Sequence, residues 1–229
     1  MRNLTRPSLC AFACVLLAAL CGSAQKAPAG SVTWELNRTD RVGGHPTTVV
    51  GDPKVTKAPV GKAILFDGVD DGLQVGVNPI AGARAFTIEA VFRPDPGGAK
   101  EQRWLHLQDD SADNRVLLET RLAGGEWFLD TFIKSGAGSR TLYAENFKHP
   151  LGRWYHVALV YDGRLMRHYV EGREELSGPL DAPPLGAGKT SIGVRLNRVH
   201  WFKGAVGRVR FTPRALAPRE FIRKGPKQK

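Results

Sequence analysis

Residues 86–94 read FTIEAVFRP. Side chains on a strand alternate between two faces, so Phe86, Ile88, Ala90 and Phe92 fall on one side and Thr87, Glu89, Val91 and Arg93 on the other. A period of two with β-branched and aromatic residues predicts a strand rather than a helix. Residues 154–162, WYHVALVYD, sharpen the reading. Tyr155, Val157, Leu159 and Tyr161 oppose Trp154, His156, Ala158 and Val160. Both rows are largely apolar, which marks a central strand covered on both faces.

Outward from these two, the chain keeps the same grammar. Short apolar segments such as SVTWEL (31–36), RVLLETRL (115–122), WFLDTFIK (127–134) and GAVGRVRFTP (204–213) alternate with Gly, Pro and Asp clusters. Such spacing predicts an all-β chain of two antiparallel sheets. The one helix candidate is APREFI (217–222), where Pro218 suits a first helical turn. No composition break divides the chain, so a single domain is expected.

Residues 1–24 read as a secretory leader. Arg2 and Arg6 precede an apolar run from Leu9 to Leu20, shorter than the roughly 20 residues a membrane span needs, and Gly22 and Ala24 fit a cleavage site. Cys10, Cys14 and Cys21 all lie in that leader, so the exported form would carry no disulfide, thiolate nucleophile or cysteine metal ligand. The expected organisation is a leader (1–24), a spacer (25–30), one domain (31–223) and a basic tail (224–229). Secreted or periplasmic placement follows. The net charge of +11 falls to +9 without Arg2 and Arg6. In an exported protein this excess either serves solubility or points to an acidic polysaccharide, an anionic envelope or a charged protein partner, rather than to nucleic acid.

Six segments in order carry a family resemblance: GKAILFDGVDDGLQV (61–75), FTIEAVFRP, RWYHVALVYDG (153–163), RHYVEG (167–172), SIGVRL (191–196) and FKGAVGRVRFTPRALAPREF (202–221). The chain resembles the laminin-G-like, concanavalin A-like jelly-roll domains of exported bacterial proteins. The resemblance implies a two-sheet antiparallel jelly-roll sandwich with one concave sheet, in a fold best known for binding carbohydrate. Two positions depart from the family. Gly207 and Arg208 stand where an acidic pair is usual, and the YVNG turn reads Tyr169-Val170-Glu171-Gly172.

The resemblance also frames AILFDGVDDGLQVG (63–76). An EF-hand starting at Asp67 would need oxygen ligands at Val69 and a Glu at Asn78, so it is not one. In the family this stretch turns one strand into the next. Gly68 and Gly72 are expected to supply unusual backbone angles and the Asp side chains to bond nearby amides. A rim Ca2+ held by Asp67, Asp70 or Asp71 is the alternative.

The expected function is an exported, non-enzymatic, lectin-like module that binds a poly- or oligosaccharide, neutral or acidic, through the concave sheet or its rim. The ligand candidates are Trp104, His106, Glu119, Arg121, Trp127, Asp130 and Trp201. Tryptophans stack on sugar faces, and Arg121 with Arg115 could pair a carboxylate or sulfate. Trp34 and Trp154 are assigned to the core. Family hydrolases of this shape carry a Glu-x-Asp-x-Glu strand, which is missing here. A glycan hydrolase or lyase would have to use Glu119 with Asp130 across two strands. No GxSxG, HExxH, Walker or GxGxxG motif is present. His156 is expected to be packed rather than catalytic. A protein-interaction domain without a glycan site is the remaining alternative.

Overall fold

A computed structural model of the protein describes residues 29–223; the expected leader (1–24) and basic tail (224–229) lie outside the described residues. The chain begins with β1 (Val32–Glu35), β2 (Arg41–Val42), β3 (His45–Val50), β4 (Lys54–Ala58), β5 (Gly61–Asp67) and β6 (Gly72–Val75). The middle holds β7 (Phe86–Pro94), β8 (Glu101–Asp109), β9 (Arg115–Ala123), β10 (Glu126–Ser135), β11 (Gly138–Tyr143) and β12 (His149–Pro150). It closes with β13 (Tyr155–Tyr161), β14 (Leu165–Val170), β15 (Arg173–Pro179), β16 (Gly188–Ile192) and β17 (Lys203–Thr212). The helix candidate is one 3-10 turn, Pro218–Glu220.

The strands form two antiparallel sheets. One has eight strands in the order β15-β14-β13-β7-β17-β5-β4, with β1 also on β17; the other has nine in the order β11-β10-β9-β8-β16-β6-β3-β2, with β12 also on β10. FTIEAVFRP is β7, between β13 and β17 in the eight-stranded sheet, and the row Phe86, Ile88, Ala90 and Phe92 faces the inter-sheet core. Phe92 stacks on Trp104 at 4.6 Å and meets Trp127 edge-on at 5.1 Å. Such ring pairs each add roughly 0.5–1.5 kcal/mol beyond burial.

The outer face of the eight-stranded sheet is covered too, as the apolar second row of WYHVALVYD requires. The C-terminal segment lays Leu216 and Phe221 over Ala158, Val160 and Tyr169. Thr87 Oγ1 donates to the Arg214 carbonyl and accepts from the Leu216 amide. Trp34 is fully buried. Trp154 is not; it is half-buried, with the Arg93 guanidinium 5.4 Å over its ring.

Strict alternation fails in β8. The register against β9 slips between Arg103 and Leu105, so Trp104 is an extra residue and both Trp104 and Leu105 enter the core. Arg103 is left on the outside opposite Glu119, and His106 opposite Leu117.

Candidate functional site

The candidate site lies on the outer face of the nine-stranded sheet, mainly on β8, β9, β10 and β11. Across it, Glu119 is the direct partner of both Arg103 and Asp130, and Arg121 is the partner of both Glu101 and Phe128. Asp130 in turn faces Tyr143. The sequence candidates Glu119, Arg121 and Asp130 are therefore brought together. Arg103 Nε donates to Glu119 Oε1 at 3.0 Å, and Arg121 Nε to Asp130 Oδ2 at 2.8 Å. Arg121 also pairs with Glu101 and lies 3.6 Å from Glu119.

Burial sets the protonation of this cluster. The Glu119 side chain is only 3% exposed. Burial, then the Asp130 charge, raises its pKa to about 7 against the opposing pull of Arg103 and Arg121. Burial likewise raises the Asp130 pKa, opposed by its bond to Arg121. A carboxyl that titrates near neutrality beside a second one is acid/base chemistry in outline. Here, however, both carboxyls are buried under the guanidiniums they hold. Their geometric effect is to fix two arginine forks at the sheet surface.

Aromatic rings reach this face from positions other than those expected. Tyr143, on the edge strand β11, is 50% exposed. The Arg121 guanidinium lies 5.6 Å over its ring, and Phe128 supports it edge-on at 5.2 Å. Arg115 covers Phe132 at 4.9 Å. Trp104 and Trp127, expected to present their rings to a ligand, are instead fully buried in the core. The bulge explains Trp104. Trp127 lies an odd number of residues before Asp130 on β10, so the two must occupy opposite faces. Trp201 is half-buried in the segment between β16 and β17.

That segment, residues 193–202, closes one side of the face. The Gly193 amide bonds the Trp104 carbonyl, and the Arg103 amide the His200 carbonyl. The Leu196 amide donates to His106 Nδ1 at 3.0 Å, and Gln74 Nε2 to the Leu196 carbonyl at 3.2 Å. Arg198 and His200 both hold positive φ, at 58° and 60°, a conformation uncommon for residues with a Cβ. The result is a cleft of about 530 Å3 lined by Gln74, His106, Gln108, Asp113, Arg195 and Asn197 among others. His106 is buried, and burial followed by Arg195, Arg115 and Arg103 pushes its pKa down to about 3. It is a neutral ring, and because Nδ1 accepts, its proton sits on Nε2.

Arg103, Arg195, Gln74 and Tyr143 were missed by sequence reasoning. Tyr143 was within reach of plain alternation in RTLYAENF (140–147), whereas Arg103 was hidden by the bulge and Arg195 by the loop.

The Asp67–Asp71 stretch is a turn in its hydrogen bonding. Asp67 Oδ1 accepts from the Val69 and Asp70 amides, and Asp71 accepts from the Asp52 and Asp67 amides. Gly68 has φ +81°, as expected, but Gly72 has no positive φ; it is needed for space, since a Cβ there would lie 2.6 Å from Val194 Cγ1. Asp67, Asp70 and Asp71 can bring one oxygen each within 4.8 Å of one another. Three hard oxygens suit Ca2+, although Asp67 Oδ1 and both Asp71 oxygens already serve the backbone.

The family model described as the concanavalin A-like lectin/glucanases superfamily matches residues 67–221. No curated protein matches the chain. Among solved structures, domain 4 of a GH43 extracellular arabinanase from Geobacillus stearothermophilus, in complex with arabinotriose, is similar at 18% identity with a TM-score of 0.64, covering 82% of this chain and 94% of that domain. A Trypanosoma rangeli sialidase in complex with sialic acid is similar at 18% identity and TM-score 0.62, covering 87% of this chain and 33% of the sialidase. The Botulinum neurotoxin serotype D binding domain is similar at 14% identity and TM-score 0.60, covering 83% of this chain and 49% of that one. At these identities the likeness is one of fold. No helix among the described residues is long and apolar enough to cross a membrane.

Proposed function

The chain belongs to the concanavalin A-like lectin/glucanase superfamily, and from that premise we propose that it is an exported carbohydrate-binding module whose ligand surface is the outer face of the nine-stranded sheet. One observation carries the reading. Arg121, fixed by buried Asp130 and Glu119, lies over the half-exposed ring of Tyr143. A rigid polar fork beside an aromatic platform suits a sugar, which offers hydroxyls at its edge and C–H groups on its face. The arabinanase domain and the sialidase, solved with arabinotriose and sialic acid, lend support by analogy.

The hydrolase reading keeps one specific observation in its favour, the carboxyl of Glu119 that titrates near neutrality beside Asp130. Against it stands the burial of both carboxyls under arginines.

Arraying the purified chain on neutral and acidic glycans, with Ca2+ and again with EDTA, tests the proposal. Binding that Arg121→Ala abolishes and Tyr143→Ala weakens is the expected result. Silence on every glycan would favour a protein partner, loss of binding in EDTA would bring Asp67, Asp70 and Asp71 into the site, and turnover lost in Glu119→Gln would favour the hydrolase.

A further inference from the structure

Every carboxylate lining the 530 Å3 cleft has a polar partner. Asp109 accepts from the Ala112 amide and from Asn114 Nδ2, both at 2.8 Å. Asp110 lies 3.5 Å from Lys189 Nζ. Asp113 pairs with Arg115 at 2.5 Å and Lys134 at 2.8 Å. Further along the face, Glu101 and Glu119 pair with Arg103 and Arg121, and Asp130 with Arg121. Arg195 is the exception. Among the described residues no carboxylate lies within ion-pair distance of it, and burial, then Arg115 and Arg103, depress its pKa against the weaker opposing pull of Asp113 and Glu119. Beneath the same cleft, His106 Nε2 is buried with no hydrogen-bond partner, as is the hydroxyl of Ser191, its cross-strand neighbour.

A guanidinium without an ion-pair partner and an unpartnered ring N–H suit an acceptor that carries negative charge. Resting on the carbohydrate-binding reading above, we infer that this cleft is an oxyanion subsite for a sugar unit bearing a carboxylate or a sulfate, with the acid group on Arg195 and the Nε2–H of His106. Gln74, Gln108 and Asn197, which also line the cleft, suit the neighbouring hydroxyls. Tyr143 and Arg121 would hold an adjoining sugar unit elsewhere on the same face.

The test uses matched ligands and the full chain. A sulfated polysaccharide is compared with its desulfated form, and a uronate polymer with its carboxyl-reduced form, on wild type, Arg195→Gln and Arg195→Lys. The acidic member of at least one pair should bind about tenfold or more tightly than its neutral counterpart, a preference that weakens with salt. Arg195→Gln should erase most of that ratio and Arg195→Lys restore part of it. Which pair discriminates separates sulfate from carboxylate. Equal binding within both pairs, or an undiminished ratio in Arg195→Gln, overturns the subsite while leaving sugar binding in place. If no glycan binds, the carbohydrate reading fails and inorganic sulfate decides the anion site. A sulfate-dependent rise in Tm larger in wild type than in Arg195→Gln keeps the site, and equal rises end it.

Discussion

Glu89 on the eight-stranded sheet and Glu119 on the nine-stranded sheet are both carboxylates on an outward strand face, buried, with an arginine alongside. Only the first is sealed. Glu89 Oε1 bonds His156 Nε2 at 3.1 Å and accepts from the Ile222 amide at 2.7 Å, while Oε2 accepts from Arg210 Nε at 2.6 Å. Arg210 Nη2 donates to the Glu220 carbonyl, and Phe221 closes the site against His156 and Tyr169. Around Glu119, Arg103 Nη1, His106 Nε2, Arg115 Nε, Asp130 Oδ1 and Ser191 Oγ are buried with no hydrogen-bond partner among the described residues. A buried polar atom left unmet costs about 1–3 kcal/mol. The Glu89 cluster is therefore a latch that holds the C-terminal segment, whereas the Glu119 face leaves several buried polar atoms unmet by the described residues.

The largest expected effect tests the latch. Glu89→Ala leaves Arg210 buried without its counter-ion, a loss of roughly 3–5 kcal/mol, and should lower Tm by about ten degrees or more. Thermal unfolding followed by circular dichroism measures it; a melt like that of wild type would remove the distinction between the two faces.

Glu119 should behave differently, through pH. Its folded-state pKa of about 7 lies above the ordinary 4.5, so the folded state binds the extra proton. The stabilisation is fully present below about pH 4.5 and is lost as pH rises through about 7. Its size is on the order of 3 kcal/mol. Glu119→Gln should flatten this part of the Tm-against-pH curve; parallel curves for variant and wild type would mean that Glu119 titrates normally.

The smallest effect belongs to the surface. Tyr143→Ala should lower Tm by only a few degrees, because half of the residue is exposed, yet weaken glycan binding by roughly threefold to tenfold, as loss of a stacking ring does. Titration calorimetry reads the second and a melt the first. An equal loss of stability would place Tyr143 with the latch rather than with the ligand face.

Much of this architecture was legible in the chain, for identifiable reasons. Alternation in WYHVALVYD placed β13 centrally, because burial on both faces leaves an unbroken apolar signature, and alternation in FTIEAVFRP sorted the two faces of β7. Glu119, Arg121 and Asp130 were legible as candidates because β9 and β10 pair without a slip. The tryptophans were not. Trp104 changes face through one extra residue that only the pairing partner reveals, and ring type alone could not tell core filler from platform. Arg195 depends on a loop with two strained residues, Arg198 and His200, whose path no local pattern encodes.

Hydrogen–deuterium exchange of the full chain, with and without the glycan that binds most tightly on the array, tests the central claim most directly. Protection confined to residues 73–75, 101–143 and 189–202 is the predicted result. Protection centred on residues 67–72, or on the C-terminal segment over the eight-stranded sheet, would contradict it.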